Sequence, residues 1–381
     1  MTAALTQDNN PPVALNSPRS TVFFGHCSAD LVSALAGLGR VSLQGTGAAE
    51  ALRRIPRERA AAFAGLAART RLTTPCARAF ARAGRAMPEP LAEAVQAARA
   101  RAAVSNGRVY ALARLAFPIL GDAGVAALAF KGPFQHRRIH GDPFFCRSGD
   151  LDLLVARADF VRALAAFEAE GFVRREDTTP WWTTSLGEVH LVHREGGVVD
   201  LHHRLQQPGC PPPRDLGQFL REAERERVGN IAVSVPTRVQ AVLICALNLT
   251  KEFAHRRPSA RYAYDFAAGV LGMDADERRA FAALAERQRL IGTVGFAAAL
   301  AGTIFDIALP LDAPLAGRAF PAWASREAVL AMAFDPDGAA TPWPRRRAVL
   351  WAMCSGAAEF SREAARMMAS EALRRASPAS A

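Results

Sequence analysis

Apolar residues recur three and four apart over most of this chain, and the period shortens to two only in a central stretch. From residue 28 to about residue 120 the pattern predicts helices, interrupted by Gly45-Thr46-Gly47, Pro56, Thr73-Thr74-Pro75 and Pro88-Glu89-Pro90. Leu91 to Leu120 predicts one long helix or two abutting ones, with Val95, Val104, Leu112 and Leu115 on the apolar side. The run from Gly124 to Phe130 predicts a buried strand, closed by Lys131-Gly132-Pro133, and Leu151 to Val155 a second strand. Arg157 to Glu170 predicts a helix whose Phe160, Val161, Leu164 and Phe167 share a face, stopped by Gly171. Glu188 to His193 and Val198 to Leu205 alternate on either side of Arg194 to Gly197, which predicts a β-hairpin. After the proline-rich break at 208–213 the helical period returns and continues nearly to the end, through Val239 to Leu249, Ala260 to Leu271 and Asp276 to Leu290.

The expected fold class is α/β (α+β), with a small mixed β-sheet core flanked by N-terminal and C-terminal helical regions. The expected organisation is a disordered start over 1–20, a helical region over 21–121, a catalytic core over 122–207 and a helical region over 208–381. No internal repeat is visible.

Composition narrows the class. With 50% hydrophobic and 22% charged residues over 381 positions, the chain has the make-up of an ordinary globular protein with a large core. Six cysteines stand singly, with no Cys-x-x-Cys and no histidine at zinc spacing, which argues for a reducing cytoplasm and against a disulfide framework. The opening residues lack the basic and apolar regions of a signal peptide. The longest uncharged stretch, Leu290 to Phe305, falls short of the roughly 18–20 residues of a membrane span and reads as a buried helix. The net charge of +11 rests almost wholly on arginine, since Lys131 and Lys251 are the two lysines of the chain. Scattered arginines fit a coding bias better than a nucleic-acid stripe, so RNA is a minority partner.

The chemistry lies in the period-two stretch. In an extended segment Asp150 and Asp152 point the same way while Leu151, Leu153 and Val155 point into the core. Two like charges about 7 Å apart on one strand gain nothing for folding, and aspartate is depleted in strands, so something positive is expected between them. Hard divalent cations prefer carboxylate oxygens, and two ions about 3.5–4 Å apart clamp both oxygens of an in-line phosphoryl displacement. Asp200, on the second arm of the hairpin with His202 on the same face, supplies a third carboxylate. Lys131-Gly132 combines a point charge with close backbone approach, both suited to a phosphate, and Arg147 is placed either to hold a phosphate or to orient the carboxylates. His190 and His193 fall on opposite faces of their strand, which argues against a histidine metal site built from His190, His193, His202 and His203.

Phe130-Lys131-Gly132, then Arg147-Ser148-Gly149-Asp150-Leu151-Asp152-Leu153-Leu154-Val155, then Val199-Asp200-Leu201-His202, resembles the uncharacterised bacterial nucleotidyltransferase family of the polymerase-β-like superfamily. The resemblance runs from about Asn106 to Asp265 and takes in Tyr264-Asp265-Phe266. It departs from better-known superfamily members in having Lys-Gly where they carry Gly-Ser or Gly-Gly, and His140 stands where a tyrosine is frequent in the family. The resemblance implies that Asp150, Asp152 and Asp200 bind two Mg2+ ions and that Lys131, Gly132, Arg147 and Ser148 hold the nucleotide, with His202 in support. It implies transfer of a nucleoside monophosphate from a triphosphate such as ATP to a hydroxyl-type acceptor, with release of pyrophosphate. An inactive nucleotide-binding scaffold and an RNA-directed nucleotidyltransferase are the alternatives. No membrane partner is expected.

Overall fold

Five short strands take up the period-two stretch: β1 (Ala127–Ala129), β2 (Leu151–Val155), β3 (Phe172–Arg174), β4 (Glu188–His193) and β5 (Val198–His202). A computed structural model describes residues 26–53, 55, 57–175, 179–194, 196–312, 315, 325–334 and 346–376. The expected disordered start over 1–20 lies outside these residues. The strands form one mixed sheet in the order β1-β2-β5-β4-β3. β2 and β5 run parallel, and the remaining neighbours are antiparallel. The fold is thus mixed α+β, with helices on both sides of a small sheet.

Alternation decides which face is buried. Leu151, Leu153, Val155, Val189, Leu191, Val199 and Leu201 pack in one core with Leu112, Ala113, Ala116 and Leu120 of the long helix Glu89–Asp122 and with Phe160, Leu164 and Phe167. Each such large side chain contributes about 1.5–3 kcal/mol on burial. That anchorage fixes the register, because a slip of one residue would turn the carboxylates inward and the leucines outward.

A second core joins the helices His26–Gln44, Arg238–Ala254, Ala260–Leu271 and Ile291–Phe305 through residues such as Leu35, Leu38, Leu247, Phe266 and Ile304. Two of the C-terminal helices start at capping boxes. Thr237 accepts from the backbone of Gln240 before Arg238–Ala254, and Asp274 from that of Glu277 before Ala275–Arg287. Each cap satisfies helix-end donors and contributes about 1 kcal/mol.

The sequence pattern carried no sign of β3, ran the second hairpin arm on to Leu205 where β5 stops at His202, and failed in three further places. Val104 is 60% and Leu115 37% exposed, because at about 100° per residue both fall opposite the stripe of Leu91, Val95, Ala102, Asn106, Val109 and Ala113. Val161 is likewise 74% exposed, one step off the Phe160, Leu164 and Phe167 stripe. The region after the proline break is not wholly helical: β6 (Glu224–Val228) and β7 (Ile231–Val235) form a separate hairpin. Its first arm alternates glutamate and arginine with little apolar signal, yet the Gly229-Asn230 turn, with Gly229 at φ +64°, was the available cue.

Candidate active site

The parallel pairing of β2 with β5 sets Asp152 directly opposite Asp200. Neighbouring strands lie about 4.8 Å apart, so two carboxylates meet on the face of the sheet opposite the long helix. Asp150 sits immediately before β2 and repels both. Burial, with the charges of Asp152 and Asp200, raises its carboxyl to about 8. Burial also pushes Asp152 upward, but Lys131 and His202 outweigh it and hold that carboxyl well below the usual range.

Positive partners surround the three acids. Lys131, which follows β1, brings Nζ to 2.5 Å from Asp152 Oδ1. Burial lowers its ammonium pKa, yet Asp152, Asp150 and Glu188 raise it further, so the charge persists. His190, opposite Asp200 across β4 and β5, has Nδ1 2.5 Å from Asp200 Oδ1. Burial disfavours its cation, but the bond to Asp200 and that group's charge raise its pKa overall. His202 lies between Asp152 and Glu188, at 3.3 and 3.4 Å. The cross-strand register therefore makes His190, not His202, the partner of Asp200.

Lys131 is the N-cap of the helix Gly132–His140, and it and Gly132 both line the space beside the carboxylates. Gly132 has φ +63°, and a Cβ there would come within 3.0 Å of Ser148 Oγ. Only glycine lets the two segments approach so closely. Arg147 and Ser148 lie on a loop held by Asn106, a fully buried amide on the long helix. Its Nδ2 donates to the Pro143 and Cys146 carbonyls at 2.7 and 2.9 Å, and its Oδ1 accepts from the Ser148 amide at 2.8 Å.

All of the expected site residues, Lys131, Gly132, Arg147, Ser148, Asp150, Asp152, Asp200 and His202, line one cavity of about 1110 Å3. That is just above the usual range of ligand sites, about 300–1,000 Å3, and leaves room for two reactants. Both lysines of the chain open into it. Lys251 Nζ is 3.4 Å from Glu252 Oε1, and although burial raises the Glu252 carboxyl, Lys251, Arg257 and Lys131 bring it below its ordinary value. Sequence reasoning missed Asn106, Glu188, Lys251, Glu252 and the pair Trp181 and Trp182. A lone buried amide in an alanine-rich helix carries no periodic signal. The scarcity of lysine was visible, but it gave no hint that residues 120 positions apart would share a wall.

The donor set suits a metal. Asp152, Asp200 and His202 are buried and offer ligand atoms all within 4.8 Å of one another. His202 Nε2 is buried with no hydrogen-bond partner, 3.3 Å from Asp152 Oδ1. Such an orphaned nitrogen costs free energy, and a cation relieves it.

Buried carboxylates on the cavity face of a small mixed sheet, beside a glycine turn that opens a helix, suit a nucleotidyltransferase. A family model described as an uncharacterised nucleotidyltransferase matches residues 56–306, and the chain belongs to that family. The match extends beyond the segment from Asn106 to Asp265 on both sides. No curated protein matches the chain. Among the described residues no helix is long and apolar enough to cross a membrane.

Proposed function

We propose that the protein transfers a nucleoside monophosphate from a nucleoside triphosphate to a hydroxyl acceptor, releasing pyrophosphate. The observation that carries this reading is the opposed pair Asp152 and Asp200, crowded by a proton-holding Asp150 and an orphaned His202 nitrogen, at the mouth of the Lys131-Gly132 helix. Asp150, Asp152 and Asp200 would hold two Mg2+ ions, with His202 adjacent. Bound there, Mg2+ supplies charge neutralisation for the triphosphate and activates the acceptor hydroxyl.

The chain's own groups do the rest. The Gly132 and Phe134 amides at the start of Gly132–His140, on either side of Pro133, bind phosphate oxygens, and Arg147 and Ser148 face them across the glycine contact. The acceptor oxygen forms a bond to the α-phosphorus as the bond to the β-phosphate oxygen breaks, and the pair leaves as pyrophosphate. Lys131 Nζ neutralises that leaving charge. Asp200 takes the acceptor's proton, and the His190 Nδ1 contact orients it for this role. We place the reaction in the cytoplasm, where triphosphates are abundant and buried thiols such as Cys76 and Cys245 stay reduced.

Pyrophosphate release from each labelled triphosphate, with Mg2+ and a panel of acceptors, tests the proposal. Asp152→Asn should lower the rate by at least about 10³-fold with the fold intact. Turnover like that of the wild type in this variant would refute the mechanism. The Lys131–Asp152 ion pair favours a second reading, a nucleotide-binding scaffold whose acids are already neutralised. Nucleotide binding without turnover on any acceptor would support it.

A further inference from the structure

The sheet order separates the cavity into two sides. Lys131 enters from the β1 edge, Asp152 and Asp200 occupy the centre on β2 and β5, and His190 stands beyond them on β4. Past His190 the wall changes character. Trp182 packs edge-on against the His190 ring at 4.9 Å, and Trp181 packs on Trp182 at 5.7 Å. Both indoles sit where the chain makes a π-helical turn, Trp182–Leu186, closed by Gly187 at φ +76°. Such turns are rare and concentrate at functional sites. Neither tryptophan belongs to either buried core, although both are half-buried and line the cavity.

The C-terminal helix Ala357–Ala376 completes this wall, and it lies beyond residue 306, where the family match ends. Ser370 Oγ accepts from Trp181 Nε1 at 3.0 Å and lies 2.6 Å from Ser185 Oγ. Met367 and Met368 line the same space, with Met368 66% exposed.

We propose that this wall is the acceptor subsite and that it takes a hydroxyl compound with an aromatic body, neutral or anionic. The inference rests on the transferase reading and names the substrate class for it. Three features select that class. Indole faces and thioethers both make favourable contacts with an aromatic ring. The Ser185 and Ser370 hydroxyls and the Trp181 indole N–H are already engaged with one another, which removes three of the groups that could bind a polyol. Glu371 is paired with both Arg374 and Arg375, which leaves the rim with an excess positive charge and repels a polycationic acceptor. The ring on Trp182 would set its hydroxyl beside Asp200.

Saturation-transfer NMR on the full chain tests this with three probes: N-acetyltyrosine amide, ribitol and the aminocyclitol neamine. The tyrosine derivative should bind and the other two should not. Trp182→Ala should weaken its affinity at least about tenfold, with recovery in Trp182→Phe, while the affinity for magnesium triphosphates measured by calorimetry stays as in the wild type. Binding of ribitol or neamine in its place, absence of binding by the tyrosine derivative, or retained affinity in Trp182→Ala would overturn the proposal. So would a Trp182→Ala effect on triphosphate affinity instead, which would make the wall a nucleobase site. Failure of every triphosphate to bind the wild type would count against the transferase reading itself, and the tyrosine probe would still decide the wall.

Discussion

Two buried clusters of ionisable groups stand a few residues apart along the helix Gly132–His140, and they are built on opposite principles. Toward its C-terminal end, Asp265 accepts from Arg261 at 2.5 Å and contacts His140 Nε2 at 2.8 Å. Burial pushes that carboxyl up, but Arg261 and His140 more than compensate and bring it below its ordinary value. Charge there is matched one to one. At its start, three aspartates share Lys131 and two histidines, and Asp150 is left with its carboxyl raised to about 8. A matched buried pair specifies a structure, whereas an unmatched one is tolerated where a cation or substrate completes it.

The largest effect that would sharpen this contrast lies in the matched cluster. Asp265→Ala leaves Arg261 buried without its carboxylate and should destabilise the fold by about 3–5 kcal/mol, read by chemical denaturation. Asp150→Asn, by comparison, should stabilise the metal-free protein near neutral pH, because it removes a repulsion. Equal losses in the two variants would break the comparison.

Asn106→Ala comes next. It leaves two carbonyls and one amide of the 143–148 loop without their partner, which should cost about 1–3 kcal/mol and weaken triphosphate binding through the displaced Arg147 and Ser148. Calorimetry on a variant shown to be folded separates the two effects.

The pH slope separates the two clusters as well. The folded Asp150 holds its proton more tightly than the unfolded chain does, so stability contributed by the protonated carboxyl is present below about pH 4 and is lost as pH rises toward about 8. Metal-free wild type should show this decline, and Asp150→Asn should flatten it. His136 has the opposite sign. Burial, with the charge of Arg261, lowers it to about 3, so its contribution is present above about pH 6.5 and is lost as pH falls toward 3.

How much of this could be read from the sequence differed between the clusters. Asp150 and Asp152 were legible because period two puts both on one face, and Asp200 because the Val198 to His202 segment repeats that pattern. The matched cluster was not, since Arg261 and Asp265 look like an ordinary exposed i,i+4 pair until His136 and His140 pack on them from a helix some 125 positions away. Likewise His202 shared a face with Asp200 in the sequence, yet antiparallel pairing gave Asp200 to His190. Facing residues on one strand follow from periodicity, but partners on the next strand depend on register, which no single segment encodes. The Trp181 and Trp182 wall was equally hidden, because it needs Ser370 from the far end of the chain.

The central claim is that the unmatched cluster is a cation site, and proton-coupled calorimetry tests it most directly. Mn2+ or Mg2+ titrated into the wild type near pH 7 in two buffers of different ionisation enthalpy should bind with release of about one proton, from Asp150, and Asp152→Asn should abolish that binding. No metal binding by the wild type, or binding with no proton released and unchanged in Asp152→Asn, would contradict it.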